Sequence, residues 1–303
     1  MINARLVYKE RFYMYMKSAA MMKMILAMSI FGSIGFFTVK TGVPASELVF
    51  VRCICATLFL GLCWFITGQH KVEVWRKKDV LVTMLCGVFL VLNWVFLFKA
   101  FEEMSITIAI SIYHLAPILV LIFGSIFLKE KMNVWSLLAV FVCFLGSVLI
   151  IGITGQTSFS DFVSSGFIWA LLAAICYAMT MIIGKGIQGL SAYAMTFVQT
   201  SVGIIILLPF MDFNVFHHLS STNWLFILGT GLIHTGIVYY LFFDSLRQLS
   251  TPVISALVFV DPAVAILLDT IIIGFRPSTL QVIGMILIFS GMLYTLVEPK
   301  KVT

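Results

Sequence analysis

The sequence predicts an all-α integral membrane protein of ten transmembrane helices, arranged as two inverted repeats of five. Three observations lead there: an apolar composition, ten apolar runs of spanning length, and a match of the chain to itself. Of 303 residues, 61% are hydrophobic and only 11% are charged, with a mean hydropathy of +1.11. Soluble domains carry about 25% charged residues, so this chain lacks the material for a wetted surface. Its net charge of +6 is spread over short loops and not gathered on one face, which argues against nucleic acid as a partner.

A helix needs about 20 apolar residues to cross the hydrocarbon core. Spans 1 to 5 are expected at 22–39, 47–67, 79–98, 104–127 and 133–152. Spans 6 to 10 follow at 166–184, 192–210, 223–243, 251–273 and 279–297. The connections are short, so sequence neighbours are expected to pack antiparallel. The polar stretch "TGQTSFSDFVSS" (154–165) falls halfway along. It divides the chain into an extension (1–21), a first repeat (22–152), a linker (153–165), a second repeat (166–298) and a tail (299–303).

Orientation follows from the basic residues. With the N-terminus inside, only Lys40, Lys99 and Arg276 fall outside and Arg52 falls within a span; the other fifteen of 19 are inside. Both termini are therefore expected in the cytoplasm, and the chain in the cytoplasmic membrane. The basic N-terminal segment has no small-residue cleavage site after its apolar run, so no signal peptide is expected. Met14, Met16, Met21 and Met22 leave the natural start open. The six cysteines lie in apolar runs without metal or redox spacing, and read as reduced thiols that act as small hydrophobes.

An offset of 145 residues lays spans 4 and 5 on spans 9 and 10. Pro117 then meets Pro262, Ser105 meets Ser250, Ala139 meets Gly284 and Gly146 meets Gly291, while Trp94 meets Tyr239. The offset drifts by a residue or two nearer the front, where "LVFVR" (48–52) matches "MTFVQ" (195–199). Each half holds an odd number of helices, so the second copy enters the membrane from the opposite side. Inverted repeats of this kind are a hallmark of secondary transporters. Ala139 with Gly146, and Gly284 with Gly291, place small residues on one face of spans 5 and 10, where backbones pack closely.

Three tracts, "LAMSIFGSIGFFTVK" in span 1, "ELVFVRCICATLFL" in span 2 and "HLAPILVLIFGSIFLKEKMNVWSLLAVFVCFLGSVLI" across spans 4 and 5, carry a likeness to a known family. By them the chain resembles the EamA-type exporters of the drug/metabolite transporter superfamily. It covers nearly all of the chain beyond residue 20. The resemblance implies a ten-helix fold, alternating access, and a central cavity lined by spans 1, 3, 4, 6, 8 and 9. One departure is Phe275, where the family usually repeats the glutamate seen at Glu130.

The candidate site residues sit near the middle of their spans. His114, His234 and Asp261 are ionisable groups at bilayer depth, where each costs about 2.5–3.5 kcal/mol on insertion scales. Such groups face a wet cavity or a partner. Asp261 precedes Pro262, and His114 stands three residues before Pro117. Proline frees a carbonyl one turn back, which suits a helix that borders a cavity. Asp261 is the candidate for a substrate amine, or for a proton exchanged against it. Trp94, Tyr113, Tyr177, Tyr239 and Tyr240 offer ring faces to an apolar or cationic group. Asp269 is a candidate exit gate, whereas Arg52 reads as snorkelling or paired with Glu47.

The function these features imply is secondary transport, as an exporter of small polar or amphipathic metabolites such as amino acids or amines. A proton-coupled importer or a drug exporter of the same fold is the alternative, and an integral-membrane transferase a remote one. No cofactor, metal or enzyme activity is expected, because no loop has metal-ligand spacing and no phosphate-binding glycine motif occurs. The expected partners are a small-molecule substrate, protons and membrane lipids. Ten helices suffice to enclose a cavity as a monomer; a lipid-mediated dimer is the alternative.

Overall fold

The computed structural model describes residues 2–104, 106–130, 133–151, 165–274 and 276–297, and these contain helices and no strand. The linker up to residue 164, Ser105, Phe275, the tail and the side chain of Asp269 lie outside the described residues. Span 1 comprises Ile2–Phe31 and Ile34–Val39, so its helix starts well before the apolar run. Span 2 is Ala45–Ile66, span 3 Lys77–Glu103 and span 5 Val134–Ile151. Span 4 consists of two pieces, Ile106–Tyr113 and Ala116–Phe127.

In the second half, span 6 is Ser165–Gly186, span 7 Ala192–Leu207 and span 10 Thr279–Val297. Span 8 runs through Ser221–Gly229, a π-helical segment Thr230–Ile237, and Val238–Leu246. Span 9 comprises Thr251–Leu257, Val260–Leu268 and a π-helical turn Asp269–Ile273. Seven described helices are long and apolar enough to cross a membrane unaided. The shorter apolar helices are Ala116–Phe127, Val134–Ile150 and Thr279–Thr295. Span 4 is divided because a proline interrupts its hydrogen-bond ladder.

Two caps show how the polar loops start helices. Ser191 accepts from the Ala194 amide to open span 7. Ser220 and Asn223 form a reciprocal capping box at the start of span 8.

The packing follows a two-fold scheme. Span 5 lies on span 10, span 2 on span 7 and span 4 on span 9, each pair being its own equivalent. Span 3 lies on span 6 and span 1 on span 8, which are equivalent to each other. The chain is thus ten helices in two inverted five-helix halves. Spans 5 and 10 meet through the expected small residues. A Cβ on Gly146 would stand 2.6 Å from the Gly284 carbonyl oxygen, and one on Gly284 would stand 2.5 Å from the Gly146 oxygen. One on Gly291 would stand 2.5 Å from the Ala139 oxygen. In a membrane such close approach supplies the dispersion contacts that the absent hydrophobic effect does not.

Candidate functional site

Four spans lose regular helix at one level of the bundle. Span 4 breaks at His114–Leu115 and span 9 at Val258–Phe259, each just before its proline. Pro117 deprives the Tyr113 carbonyl of its helical donor, and Pro262 does the same to Val258. The Val258 oxygen instead takes the Asp261 amide at 3.3 Å. His114 and Phe259 occupy equivalent positions in the two halves, and their rings meet at 6.0 Å. Trp94 and Tyr239, also equivalent, meet edge-to-face at 5.7 Å. The pseudo-two-fold axis therefore runs through both ring pairs, between the two members of each.

Span 1 breaks at Gly32–Ser33 against the same region. A Cβ on Gly32 would stand 2.7 Å from the Asp261 carbonyl oxygen, so only glycine lets the two breaks touch. The π-helical segment of span 8 faces span 2 through Gly231 and Gly236, each packed on a side chain of Cys55 or Phe59. Such widened turns are frequent at functional sites.

The residues named from the sequence converge here. Tyr113 stacks on Tyr177 at 5.3 Å, and its hydroxyl shares a hydrogen bond with Asn93, 3.2 Å from Nδ2. Asn93 also donates to the Ala173 carbonyl at 2.9 Å. Asp261 lies within electrostatic range of both tyrosines, and Tyr239 lies within range of the same pair. The Asp261 side chain is part-exposed inside the bundle and makes no hydrogen bond or ion pair among the described residues. His234 Nε2 lies 2.9 Å from Ser33 Oγ, and its ring packs on Phe37 at 4.7 Å. The His114 ring is buried, close to the Ile110 carbonyl and Phe259.

Two placements differ from expectation. Tyr240 turns away from the group and stacks on Tyr193 at 4.4 Å. Arg52 neither snorkels nor pairs with Glu47: it is only 5% exposed, and Glu47 instead accepts from Ser46 Oγ at 2.7 Å. Arg52 Nε donates to Thr235 Oγ1 at 2.9 Å, and its guanidinium lies 5.4 Å from the Trp94 ring centre. Arg52 thus joins the site against expectation, and Asn93 and Thr235 join it without having been singled out. The amide beside Trp94 in "VLNWVF" was the available signal for Asn93.

The two ends of the bundle differ. One end carries Lys23, Lys185 and Arg247 and is closed by polar contacts between the halves. Lys23 pairs with Asp244 at 2.6 Å across the halves, while within the second half Arg247 donates to the Leu190 carbonyl at 2.6 Å. Glu73 accepts from the Ser191 amide at 2.7 Å and its hydroxyl at 2.6 Å. Glu130 pairs with Lys185 at 2.6 Å and accepts from the Thr251 amide at 3.2 Å, while Lys185 donates to Thr251 Oγ1 at 2.9 Å. At the other end a cavity of about 320 Å³ is lined by Pro44, Ser46, Val49, Trp94, Lys99 and Leu207 among others. Trp94 is shared between this cavity and the Arg52–Tyr239 group.

The contacts of Glu130 are expected to depend on pH. Burial alone would raise the Glu130 pKa, but the hydrogen bonds from Lys185 and Thr251 and the lysine charge outweigh it, and the net shift is downward. A depressed carboxylate contributes stability that is present above its unfolded pKa and lost as pH falls through the folded value. Acidification below the ordinary carboxylate range is therefore expected to loosen this end. Glu130→Gln is expected to do so at neutral pH, by about fivefold in the closed-to-open ratio, since a charge-assisted contact is discounted for its partial exposure. Alkylation rates of a cysteine introduced one turn into span 9 check this; unchanged rates in Glu130→Gln would refute it.

Comparison with known proteins follows the same division of the chain. The family model for the EamA-like transporter family matches residues 18–152 and again 164–297. The "Uncharacterized transporter YxxF" of Bacillus subtilis (strain 168) is 60% identical over 282 residues, covering 93% of this chain and 91% of that protein. The "Pseudopaline exporter CntI" of Pseudomonas aeruginosa (strain UCBPP-PA14) is 27% identical over 196 residues, covering 63% of this chain and 64% of its own. A crystal structure 17% identical in sequence superposes with a TM-score of 0.80, over 92% of this chain and 98% of its own, and shares the fold. The chain belongs to the EamA-like transporter family of the drug/metabolite transporter superfamily.

Proposed function

We propose that this membrane transporter exports small polar or amphipathic metabolites bearing an amine, such as amino acids or their derivatives, by alternating access. The observation that carries the reading is Asp261: a carboxylate with no hydrogen bond or ion pair among the described residues, part-exposed inside the bundle at the break of span 9. An unpaired carboxylate at that depth is costly unless it binds a cation or a proton during its work. Its equivalent in the first half, by the 145-residue offset, is Ala116. The fold therefore builds the same break without a charge. Tyr113 and Tyr177 lie beside it and offer ring faces to an ammonium group.

Export is supported by one relative, and the basic residues give only the orientation of the chain. The basic end is expected to be cytoplasmic by its lysines and arginines, which makes the latched end the inner one and the cavity outward-facing. A relative of known role, the CntI protein, is an exporter. The test is exchange and pH-gradient-driven uptake of labelled amino acids and amines in proteoliposomes, wild type against Asp261→Asn. Accumulation lost in the variant supports the assignment. Normal accumulation in the variant would make the carboxylate structural.

A further inference from the structure

Arg52 is the second unpaired charge of the site. No carboxylate lies within ion-pair distance of it among the described residues, where the ion pairs are those of Lys23, Lys185 and Arg247. Only Nε is used, by Thr235; the two terminal nitrogens make no hydrogen bond among the described residues. Thr235 is itself held in place, donating to the Thr230 carbonyl at 3.1 Å within the π-helical segment. The guanidinium is thus fixed at one edge, backed by the Trp94 ring at 5.4 Å, with its fork free.

A buried cation is retained at such a cost when it has a task or when the fold needs it. The repeat separates these possibilities. The match of "LVFVR" to "MTFVQ" places Gln199 opposite Arg52, and that buried side chain is accommodated by Cys86 Sγ at 3.1 Å. Spans 2 and 7 therefore pack against each other with a neutral side chain on one side of the axis. Arg52 and Asp261 are both departures from the symmetry, and both are charged. They do not pair with each other: Arg52 makes no ion pair among the described residues, and Tyr239 is near Arg52 and near the Tyr113–Tyr177 stack beside Asp261.

We infer that Arg52 is the anion subsite of the transporter, its free guanidinium fork taking a carboxylate of the substrate beside the Trp94 and Tyr239 rings. This rests on the function proposed above and narrows its substrate to molecules bearing both a cationic and an anionic group. Guanidinium suits the task because its planar fork matches a carboxylate with two parallel N–H donors. Trp94 also borders the cavity of about 320 Å³, so the anionic end of the substrate is the end nearest that opening.

The test is binding to the purified full chain of a panel of amino acids, the amines formed by their decarboxylation, and their N-acetyl forms. The amines lack the carboxylate and the N-acetyl forms lack the cation. Wild type is expected to favour at least one intact amino acid over its amine by about tenfold or more, the usual size of a charge-assisted contact. Arg52→Gln is expected to remove that preference by weakening the amino acid, with the amine bound at least as tightly as by the wild type because a like charge is gone, and Arg52→Lys to restore part of it. Equal binding of amino acid and amine by the wild type would overturn the anion subsite and leave the role of Asp261 standing. Loss of both ligands in Arg52→Gln, with a lowered unfolding temperature, would make Arg52 structural. Binding of N-acetyl forms as tight as that of the parent amino acids would overturn the cation role of Asp261 and leave Arg52 in place. Binding of none of the compounds would overturn both.

Discussion

Gly284→Val is expected to leave little folded protein. The added Cβ would stand 2.5 Å from the Gly146 carbonyl oxygen and 3.1 Å from the Ile150 amide nitrogen, which are backbone atoms and cannot rotate away. Overpacking of an interior costs about 1–3 kcal/mol, and more where the obstacle is rigid. Here spans 5 and 10 would have to separate along their shared face, and Gly146 and Gly291 would lose their close contacts as well. A fall in unfolding temperature and loss of the monodisperse species on size exclusion check the expectation. Gly186→Ala is the control, because nothing lies within 4 Å of its added Cβ. Equal stability of the two variants would show that the helices do not pack as described.

The second large effect is on transport. Asp261→Asn keeps the shape of the side chain and removes its charge, so folding is expected to be preserved. Accumulation driven by a pH gradient is expected to fall by at least tenfold, since a charge-assisted contact in a site of low polarity is worth about 1.5–3 kcal/mol. Asp261→Glu is expected to retain partial activity, because the charge survives at a shifted position. If Asp261→Asn transported as wild type while Asp261→Glu failed, the side chain would matter by its size, and cation binding would be excluded.

The parts of this architecture that depend on local chemistry were legible in the sequence. Hydropathy marked the spans, Pro117 and Pro262 marked the breaks in spans 4 and 9, and the spacing of Gly146, Gly284 and Gly291 marked the closest helix pair. The repeat also told which residues meet, since Trp94 and Tyr239 touch as equivalents about the axis. What was not legible depends on partners far away in the chain. Arg52 looks like an interfacial residue because it stands early in its run, but Thr235, 183 residues later, receives it in the interior. The Ser33 partner of His234 is 201 residues earlier, and no local pattern announces it. The widened turn in span 8 has no proline to signal it, and its glycines, Gly231 and Gly236, seat against span 2.

The latch has a similar history. Glu130 was visible as a loop carboxylate without a repeat equivalent, because Phe275 occupies the matching position. The structure adds its partners, Lys185 and Thr251, both from the other half. The two ends are thus chemically unlike, and only one of them is held by Glu130.

The two halves are expected to rock about this site, so that one end opens as the other closes. Paired accessibility measures it most directly. With the six native cysteines replaced, Ser46→Cys reports on the cavity, while Ser255→Cys, buried one turn beyond Thr251, reports on the latched end. In nanodiscs, where both faces meet the reagent, adding Glu130→Gln is expected to raise maleimide labelling at position 255 and lower it at position 46. Labelling that rose at both positions together, or at neither, would contradict alternating access in this chain.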